Sequence, residues 1–372
     1  MTGQVSGRTA AGQALRAGSL AVLAQAQAGT GAVLASTAFS QYDYCWFRDG
    51  AFIAHAWLVS GELERAGRFH RWAAEVVRRD RDAIEHAIAG RRAGQPVDPG
   101  YILDARYRAD GSRGEEPWPN FQLDGLGAWL WSLRQWAAAV PGGAARELAG
   151  PVRLAVRYLA ALWDQPSYDC WEEGAGQVHV STLAAVYAGL VAGGQLLGEP
   201  RWPEVAGQVR ELALGAGVSG GRLRKHLGSD LVDGSLIWAG VPFGLLAPGD
   251  PVMAATAAAI AADLTGPTGG IYRYLGDTYY GGGEWIPLAA HLGWYWARAG
   301  RPELAAGLLD WVESAATSGG LLPEQTLTAV QQPPFVGTWT RRWGAVATPL
   351  TWSHAAYLIL AHELAGAPDS RP

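Results

Sequence analysis

The sequence Asp169-Cys170-Trp171-Glu172-Glu173-Gly174 stands just ahead of two contrasting helical segments. Residues 180–197 are apolar on most sides, whereas residues 202–214 are amphipathic. A helix that is apolar all round has to be buried, and an amphipathic helix can cover it from outside. A polar loop, an inner helix and an outer helix therefore form a unit that the rest of the chain can repeat.

This unit recurs along the chain, in which mostly apolar helical segments tend to alternate with amphipathic ones. The predicted helices cover residues 11–27, 51–60, 64–92, 126–140, 144–163, 180–197, 202–214, 231–244, 251–264, 286–299, 302–316 and 351–364. No alternation of strands and helices typical of a parallel sheet is present. The pattern predicts an all-α fold, a closed barrel of six helical hairpins with inner and outer layers.

The composition indicates an ordered globular protein with an unusual number of tryptophans. Of 372 residues, 49% are hydrophobic, 17% are charged and 18 are tryptophan. Tryptophan rings can stack on the apolar faces of sugar rings, which makes carbohydrate a favoured ligand. The net charge of −5 and the shortness of the basic clusters argue against nucleic acid. With no secretory signal and no membrane-spanning run in the sequence, we expect a cytoplasmic protein that does not bind membranes.

The two cysteines, Cys45 and Cys170, are too few for a metal framework. Each precedes a tryptophan, so they could lie close together, but free thiols are expected in a reducing compartment. No cluster of metal ligands is found either. We therefore predict neither a metal nor a cofactor.

Five loops rich in Arg, Asp, Glu, Trp and Tyr each stand just before an inner-type helix. If the inner helices run in the same direction, these loops converge on one rim of the barrel. The residues that would surround one cavity are Arg48, Asp49, Trp118, Asp124, Glu172, Glu173, Arg273, Asp277 and Glu324. Hydrolysis of a glycosidic bond needs two carboxyl groups on opposite sides of one sugar, and Glu172 with Glu324 is the favoured pair. The alternative is that Glu172 and Glu173 are a solvated helix entry.

Six stretches in the same loops resemble glycoside hydrolase family 15, the glucoamylase and glucodextranase family. They are residues 44–49 (YCWFRD), Trp118 with residues 122–125 (QLDG), residues 171–173 (WEE), 273–282 (RYLGDTYYGG), 322–325 (LPEQ) and 348–355 (TPLTWSHA). They follow the family's order and cover about residues 40 to 365. The resemblance implies an (α/α)6 barrel, here a single catalytic domain over residues 1–372, with residues 1–10 and 367–372 as flexible tails.

The resemblance also implies an inverting, exo-acting α-glucosidase that releases β-glucose from a non-reducing end. Glu172 matches the general acid and Glu324 the general base of the family. Residues matching substrate contacts are Tyr42, Trp46, Arg48, Asp49, Trp118, Asp124, Trp171, Glu173, Arg273, Asp277 and Trp285. Among these, Arg48 and Asp49 would hold the terminal glucose, and Trp118 would lie near the scissile bond.

Several of these residues also have structural interpretations. Asp124 could cap the helix that follows it, and Arg273 with Asp277 could be an ion pair. His291 and His354 lie in apolar runs and are expected to be hydrogen-bonded core residues. The tryptophans at 339, 343 and 352 fit either the core or the cavity wall.

The chain departs from the family pattern at two places. Gly283-Glu284 precedes Trp285, which would add a carboxylate near the sugar subsites. Only one predicted helix precedes the first motif, so a small soluble substrate is favoured over raw starch. The linkage could be α-1,4 or α-1,6, and trehalose is an alternative substrate. A non-catalytic barrel that binds a sugar or a protein is the alternative from another class, against which the intact pair of glutamates argues.

Overall fold

Helices build most of residues 10–366, the part of the chain that the computed structural model describes. The predicted tails lie outside this range, except that Ala10 already begins the first helix. The helices are α1 (Ala10–Ala26), α2 (Phe47–Val59), α3 (Leu63–Arg79), α4 (Arg81–Arg92), α5 (Asp124–Ala139), α6 (Ala149–Leu162), α7 (Val180–Leu197), α8 (Arg201–Ala216), α9 (Pro251–Asp263), α10 (Ile286–Arg298), α11 (Pro302–Ser314), α12 (Pro334–Trp343) and α13 (Thr351–Gly366). Short 3-10 helices cover Ser40–Tyr42, Pro99–Tyr101, Pro141–Leu148, Gly234–Ala239 and Tyr279–Gly281.

Six inner segments form a closed ring. In chain order, α2, α5, α7, the 3-10 helix Gly234–Ala239, α10 and α13 each contact the next, and α13 contacts α2. All six are buried along most of their length. The outer partners of the ring are α3, α6, α8, α9, α11 and α1. The predicted (α/α)6 barrel is therefore confirmed within residues 10–366.

Helix α7 shows how local sequence determines an inner helix. It begins after the extended residue His179 and ends at Gly198, which adopts a left-handed φ of 67° that glycine tolerates best. By length and composition α7 could cross a membrane, but 72% of it is buried inside the barrel. Its neighbour α5 approaches it closely, since a Cβ on Gly127 would lie 2.3 Å from the Ala185 carbonyl oxygen.

Three two-residue antiparallel strand pairs fix the loops. Strand β1 (Cys45–Trp46) pairs with β2 (Arg106–Tyr107), and β3 (Val218–Ser219) pairs with β4 (Arg222–Leu223). Strand β5 (Glu284–Trp285) pairs with β6 (Gln325–Thr326). Because β1 leads directly into α2 and β5 into α10, these pairs set the positions of the loops at one end of the ring.

The structure differs from the sequence prediction in four elements. The long helix predicted over residues 64–92 is broken at Asp80, whose carboxylate accepts hydrogen bonds from the Tyr107 hydroxyl and from Arg113. The segment predicted as a helix over residues 144–163 begins as a 3-10 helix, and of residues 231–244 only Gly234–Ala239 are helical, again as a 3-10 helix. Helix α12 lies where only a loop was predicted, and it buries no residue.

Candidate active site

One cavity of about 320 Å³ opens among the loops that precede the inner helices. Its wall includes the predicted residues Tyr42, Trp46, Arg48, Asp49, Trp118, Trp171, Glu172, Glu173, Arg273, Trp285 and Glu324. The loops ahead of α2, α5, α7, α10 and α13 all contribute. The convergence inferred from the spacing of these loops is therefore present in the structure.

Two predicted residues, Asp124 and Asp277, lie behind the cavity wall. Asp124 is the first helical residue of α5 rather than its N-cap, which is Leu123, and its carboxylate accepts a hydrogen bond from Arg48 Nη1 at 3.0 Å. Asp277 is fully buried and accepts two hydrogen bonds from Arg273, at 2.6 Å and 2.5 Å. Each aspartate therefore holds an arginine of the wall, and the interpretation of Arg273 with Asp277 as an ion pair is confirmed.

Glu172 presents its carboxylate to the cavity from a strained backbone. Three donors converge on its Oε1 atom: Trp118 Nε1 at 2.7 Å, Trp46 Nε1 at 2.9 Å and Gln122 Nε2 at 3.2 Å. Its φ of 68° is left-handed, which is uncommon for a residue other than glycine. All three donors therefore bind the same oxygen, Oε1.

An aspartate fixes this loop. Asp169 Oδ1 accepts the backbone N–H groups of Trp171 and Glu173, both at 2.9 Å, on either side of Glu172. Burial raises the pKa of Asp169 to about 7, although Lys225 opposes this shift. Sequence reasoning missed Asp169 as a site residue, although it begins the quoted motif and a carboxylate two residues ahead of a backbone N–H is a common turn signal.

Glu324 faces the cavity from another loop and is only 3% exposed. The Tyr42 hydroxyl donates to its Oε1 at 2.9 Å, and the hydroxyls of Tyr42 and Tyr279 are 2.8 Å apart. Glu324 Oε2 has no hydrogen-bond partner within residues 10–366. Burial raises the pKa of Glu324 to about 7, and the hydrogen bond from Tyr42 works against this rise.

The two glutamates are linked through neighbouring aromatic rings. Tyr42, which holds Glu324, lies edge-on to Trp46, which holds Glu172, with ring centroids 5.5 Å apart. Within residues 10–366, no hydrogen bond connects the carboxylates of Glu172 and Glu324 to each other. The cavity thus contains two carboxylates that are held by different donors, and a pair of carboxyl groups is what hydrolysis of a glycosidic bond uses.

A charged pair forms the buried floor of the cavity. Arg48 and Asp49 are each 6% exposed, and Arg48 Nη1 also donates to Gln122 at 3.0 Å. Arg48 Nε and Asp49 Oδ1, which lie 3.5 Å apart, have no hydrogen-bond partner in the described part of the chain. Burial raises the pKa of Asp49 to about 6. A donor and an acceptor side by side in a buried floor can hold two adjacent hydroxyl groups.

A second arginine supports Glu173, which the sequence placed at a substrate contact. Arg273 Nη2 donates to Glu173 Oε1 at 3.3 Å, and the Tyr274 hydroxyl donates to Oε2 at 2.6 Å. The Arg273 guanidinium lies 5.3 Å from the ring centroids of Trp171 and Trp285. Glu173 is 41% exposed at the side chain, so it remains accessible from the cavity.

Other aromatic residues complete the wall. The tryptophans at 339, 343 and 352, for which core and cavity were equal alternatives, all line the cavity. Tyr279 and Arg342 also line it, and sequence reasoning did not single out either one. Arg342 belongs to the helix that was missed, and Tyr279 lay unassigned within a recognised motif.

The remaining sequence expectations concern buried residues. His291 accepts a hydrogen bond from Trp238 Nε1, and His354 accepts one from the Leu322 N–H, so both are hydrogen-bonded core residues as predicted. Both cysteines are free and buried, and Cys170 reaches the cavity wall. Glu284 does not add a carboxylate to the cavity.

Glu284 is fully buried and accepts the Thr268 N–H at 3.0 Å. The expectation of an additional carboxylate near the subsites was wrong because successive residues of a strand point to opposite sides. Trp285 takes the cavity side of strand β5. Glu284 therefore points away from the cavity.

Together, the (α/α)6 barrel and a cavity that holds two catalytically suited carboxylates define a glycosidase. The family model for glycosyl hydrolases family 15 matches residues 10–213. A relative from Kribbella flavida, isomaltose glucohydrolase, is 44% identical over 357 residues, covering 94% of this chain and 92% of the relative. The chain belongs to glycosyl hydrolases family 15.

Solved structures agree with this membership. A glycosidase variant in complex with glucose is 42% identical, with a TM-score of 0.92 over 96% of this chain and 98% of that chain. A bacterial glucoamylase complexed with acarbose has a TM-score of 0.76 at 20% identity, over 95% of this chain and 56% of that chain. At that identity the second likeness shows the fold alone.

Proposed function

We propose that this protein is an inverting, exo-acting α-glucosidase that releases β-glucose from the non-reducing end of short α-glucosides. The observation that carries the proposal is the pair Glu172 and Glu324 in one cavity, each held by different donors. The buried floor formed by Arg48 and Asp49 supports exo action, because a cavity closed at one end accepts a chain end rather than an internal residue.

In the proposed mechanism the two glutamates act on opposite sides of the terminal sugar. Glu324 takes a proton from a water molecule while the oxygen of that water attacks the anomeric carbon. Glu172 gives its proton to the glycosidic oxygen as the bond to the leaving sugar breaks. Attack opposite the leaving group inverts the anomeric carbon, so α-linked glucose leaves as β-glucose. An inverting enzyme is expected to separate the two carboxyl groups by about 6.5–9.5 Å.

Isomaltose is the first candidate substrate. The relative named isomaltose glucohydrolase is 44% identical to this chain over 357 residues, and a glycosidase that is 42% identical was solved with glucose. The likeness to isomaltose glucohydrolase covers 94% of this chain, and it supports a substrate with an α-1,6 linkage over maltose or trehalose.

The test is anomer-resolved detection of glucose by NMR with isomaltose, maltose, trehalose, panose and dextran. Fresh β-glucose from isomaltose is the expected result. α-Glucose as the first product would contradict inversion. Faster release from maltose or trehalose would replace α-1,6 as the preferred linkage. If folded protein releases glucose from none of them, the reading as a non-catalytic sugar-binding barrel gains support.

Substitution tests the two roles. Glu172→Gln and Glu324→Gln should each lower kcat by roughly 10²-fold or more, because each removes one proton-transferring group. Glu204→Gln, an exposed residue of α8, is the matched control and should keep the wild-type rate. A near-normal rate on the best substrate in either active-site variant would disprove its assignment.

A further inference from the structure

The cavity has a closed end and an open end, and helix α12 forms part of the open end. Arg48, Asp49, Glu324 and Trp352 are at most 6% exposed and form the closed end. Trp118, Trp339 and Trp343 are half-buried and Arg342 is exposed. In an exo-acting glycosidase the terminal sugar occupies the closed end. The sugar beyond the scissile bond must therefore lie toward α12.

Trp118 forms a rigid wall on one side of this open end. Its Nε1 donates to Glu172 Oε1 at 2.7 Å, which places the ring beside the group that faces the leaving oxygen. The buried Arg106 guanidinium lies 3.4 Å from the Trp118 ring centroid and donates to the Gln41 carbonyl oxygen at 2.8 Å. Trp118 is thus held through both its ring face and its N–H group.

Helix α12 faces this wall. Trp343 stacks against Trp118 with ring centroids 6.3 Å apart and planes inclined by 24°. The ring centroids of Trp339 and Tyr279 lie 5.0 Å apart, and the Tyr280 hydroxyl donates to the Gly344 carbonyl oxygen at 2.9 Å. The helix buries no residue of its own, so these aromatic contacts and loop hydrogen bonds hold it over the cavity.

Arg342 presents a guanidinium at the open end of the cavity. Its guanidinium lies 4.8 Å from the Trp343 ring centroid and 5.2 Å from that of Trp339. It has no carboxylate partner among residues 10–366, and it lines the cavity. A guanidinium steadied by two rings, with no hydrogen bond to residues 10–366, suits the hydroxyl oxygens of a sugar.

Resting on the proposed function, we propose that α12 builds the subsite for a single sugar beyond the scissile bond. Arg342 donates hydrogen bonds to the hydroxyls of that sugar. The stacked rings of Trp343 and Trp118 block the space beyond that sugar. The enzyme therefore prefers α-glucosyl disaccharides to longer chains.

The experiment compares three substrates that occupy different parts of the cavity. α-Glucosyl fluoride fills only the closed end, isomaltose adds one sugar and isomaltotriose adds two. Arg342→Ala should lower kcat/KM for isomaltose roughly tenfold or more, the effect expected from losing hydrogen bonds made by a charged group. The value for α-glucosyl fluoride should change by less than about twofold. Arg341→Ala, the neighbouring exposed arginine of α12, is the matched control and should change neither value.

Trp343→Ala tests the restriction on length. It should raise the ratio of kcat/KM for isomaltotriose to that for isomaltose several-fold, whereas Phe335→Ala on the same helix should leave the ratio unchanged. An equal loss on all substrates, or no loss, in Arg342→Ala would overturn the subsite. An unchanged ratio in Trp343→Ala would overturn the length restriction. Wild-type protein inactive even on α-glucosyl fluoride would instead refute the proposed glucosidase function itself.

Discussion

At the scale of single residues, the backbone of Glu172 depends on Asp169. A left-handed φ at a residue other than glycine is unfavourable and persists only when neighbours stabilise it. Asp169 does so through two hydrogen bonds to the N–H groups flanking Glu172. The position of the proposed acid is therefore determined by a carboxylate that does not line the cavity.

Asp169→Ala should lower kcat roughly 10- to 100-fold with a smaller effect on KM, because a misplaced acid loses effectiveness steeply with distance. Asp169→Asn keeps an oxygen acceptor and should retain more activity than the alanine variant. Asp230→Ala, which removes an exposed aspartate, serves as the control for both. Steady-state kinetics on isomaltose provide the measurement, and equal activity of the alanine and asparagine variants would argue against the hydrogen bonds as the cause.

The pKa of Glu324 predicts how activity depends on pH. As the proposed base, Glu324 must be ionised, and burial raises its pKa to about 7. On the acidic side, kcat/KM should therefore increase with pH through about 7 rather than through the usual range of glutamate near 4.

Tyr42→Phe should shift this acidic limb to higher pH. The hydroxyl of Tyr42 stabilises the charged form of Glu324, so its removal raises the pKa of the base further. Tyr295→Phe removes a buried hydroxyl that donates to the Pro248 carbonyl oxygen and should leave the limb in place. A pH profile of kcat/KM that moves to lower pH in Tyr42→Phe would contradict the assignment of Glu324 as the group that titrates.

The sequence indicated most polar residues of the cavity because they occur in loops just ahead of apolar helices. It could not assign Trp339, Trp343 or Trp352, since a large aromatic ring fits a core and a sugar-binding wall equally well. It also misplaced Glu284, because only the pleat of the two-residue strand β5 determines which of two adjacent side chains faces the cavity.

At the scale of elements, long helices with a regular apolar pattern were predictable. Short helices, and helix ends that depend on contacts with other loops, were not. The bounds of α7 agree with the pattern of residues 180–197 because the run is apolar and ends at Gly198. Helix α12 was missed because it is ten residues long, lies in a Pro/Trp-rich segment and buries nothing. The break between α3 and α4 lies at Asp80, which accepts hydrogen bonds from Tyr107 and Arg113. Both donors lie outside the predicted helix, so its own pattern could not show the break.

The contact between α5 and α7 gives a prediction about packing. Gly127→Ala would place a Cβ 2.3 Å from the Ala185 carbonyl oxygen, and this backbone cannot move without separating two inner helices. The substitution should lower the free energy of unfolding by about 1–3 kcal/mol. Gly207→Ala in α8, where nothing lies within 4 Å, should be neutral or stabilising by up to about 1 kcal/mol. Denaturant unfolding of both variants compares them directly, and equal stabilities would show that the inner helices can separate at little cost.

At the scale of the whole molecule, the barrel closes where the last helix, α13, packs against α1 and α2. The Tyr357 hydroxyl donates to the Gly12 carbonyl oxygen at 3.1 Å, and His354 Nδ1 lies 2.9 Å from the Ser19 hydroxyl. The Thr351 N–H donates to the Ala35 carbonyl oxygen at 2.9 Å. Ala35 also lines the cavity, so closure of the ring and completion of the site use neighbouring residues.

This closure predicts that the barrel and the site unfold together as one domain. Far-UV circular dichroism, tryptophan fluorescence and residual activity should give coincident thermal transitions. Tyr357→Phe removes the hydroxyl whose single proton lies between the Gly12 carbonyl oxygen of α1 and the Glu313 carboxylate of α11, each 3.1 Å away, and it should lower the stability seen by all three probes by about 1–3 kcal/mol. Tyr187→Phe, which changes a half-buried residue of α7, is the control and should shift the three transitions less. If activity disappears well below the temperature at which the helices melt, the loops of the cavity form a separate unfolding unit, and the single-domain prediction is wrong.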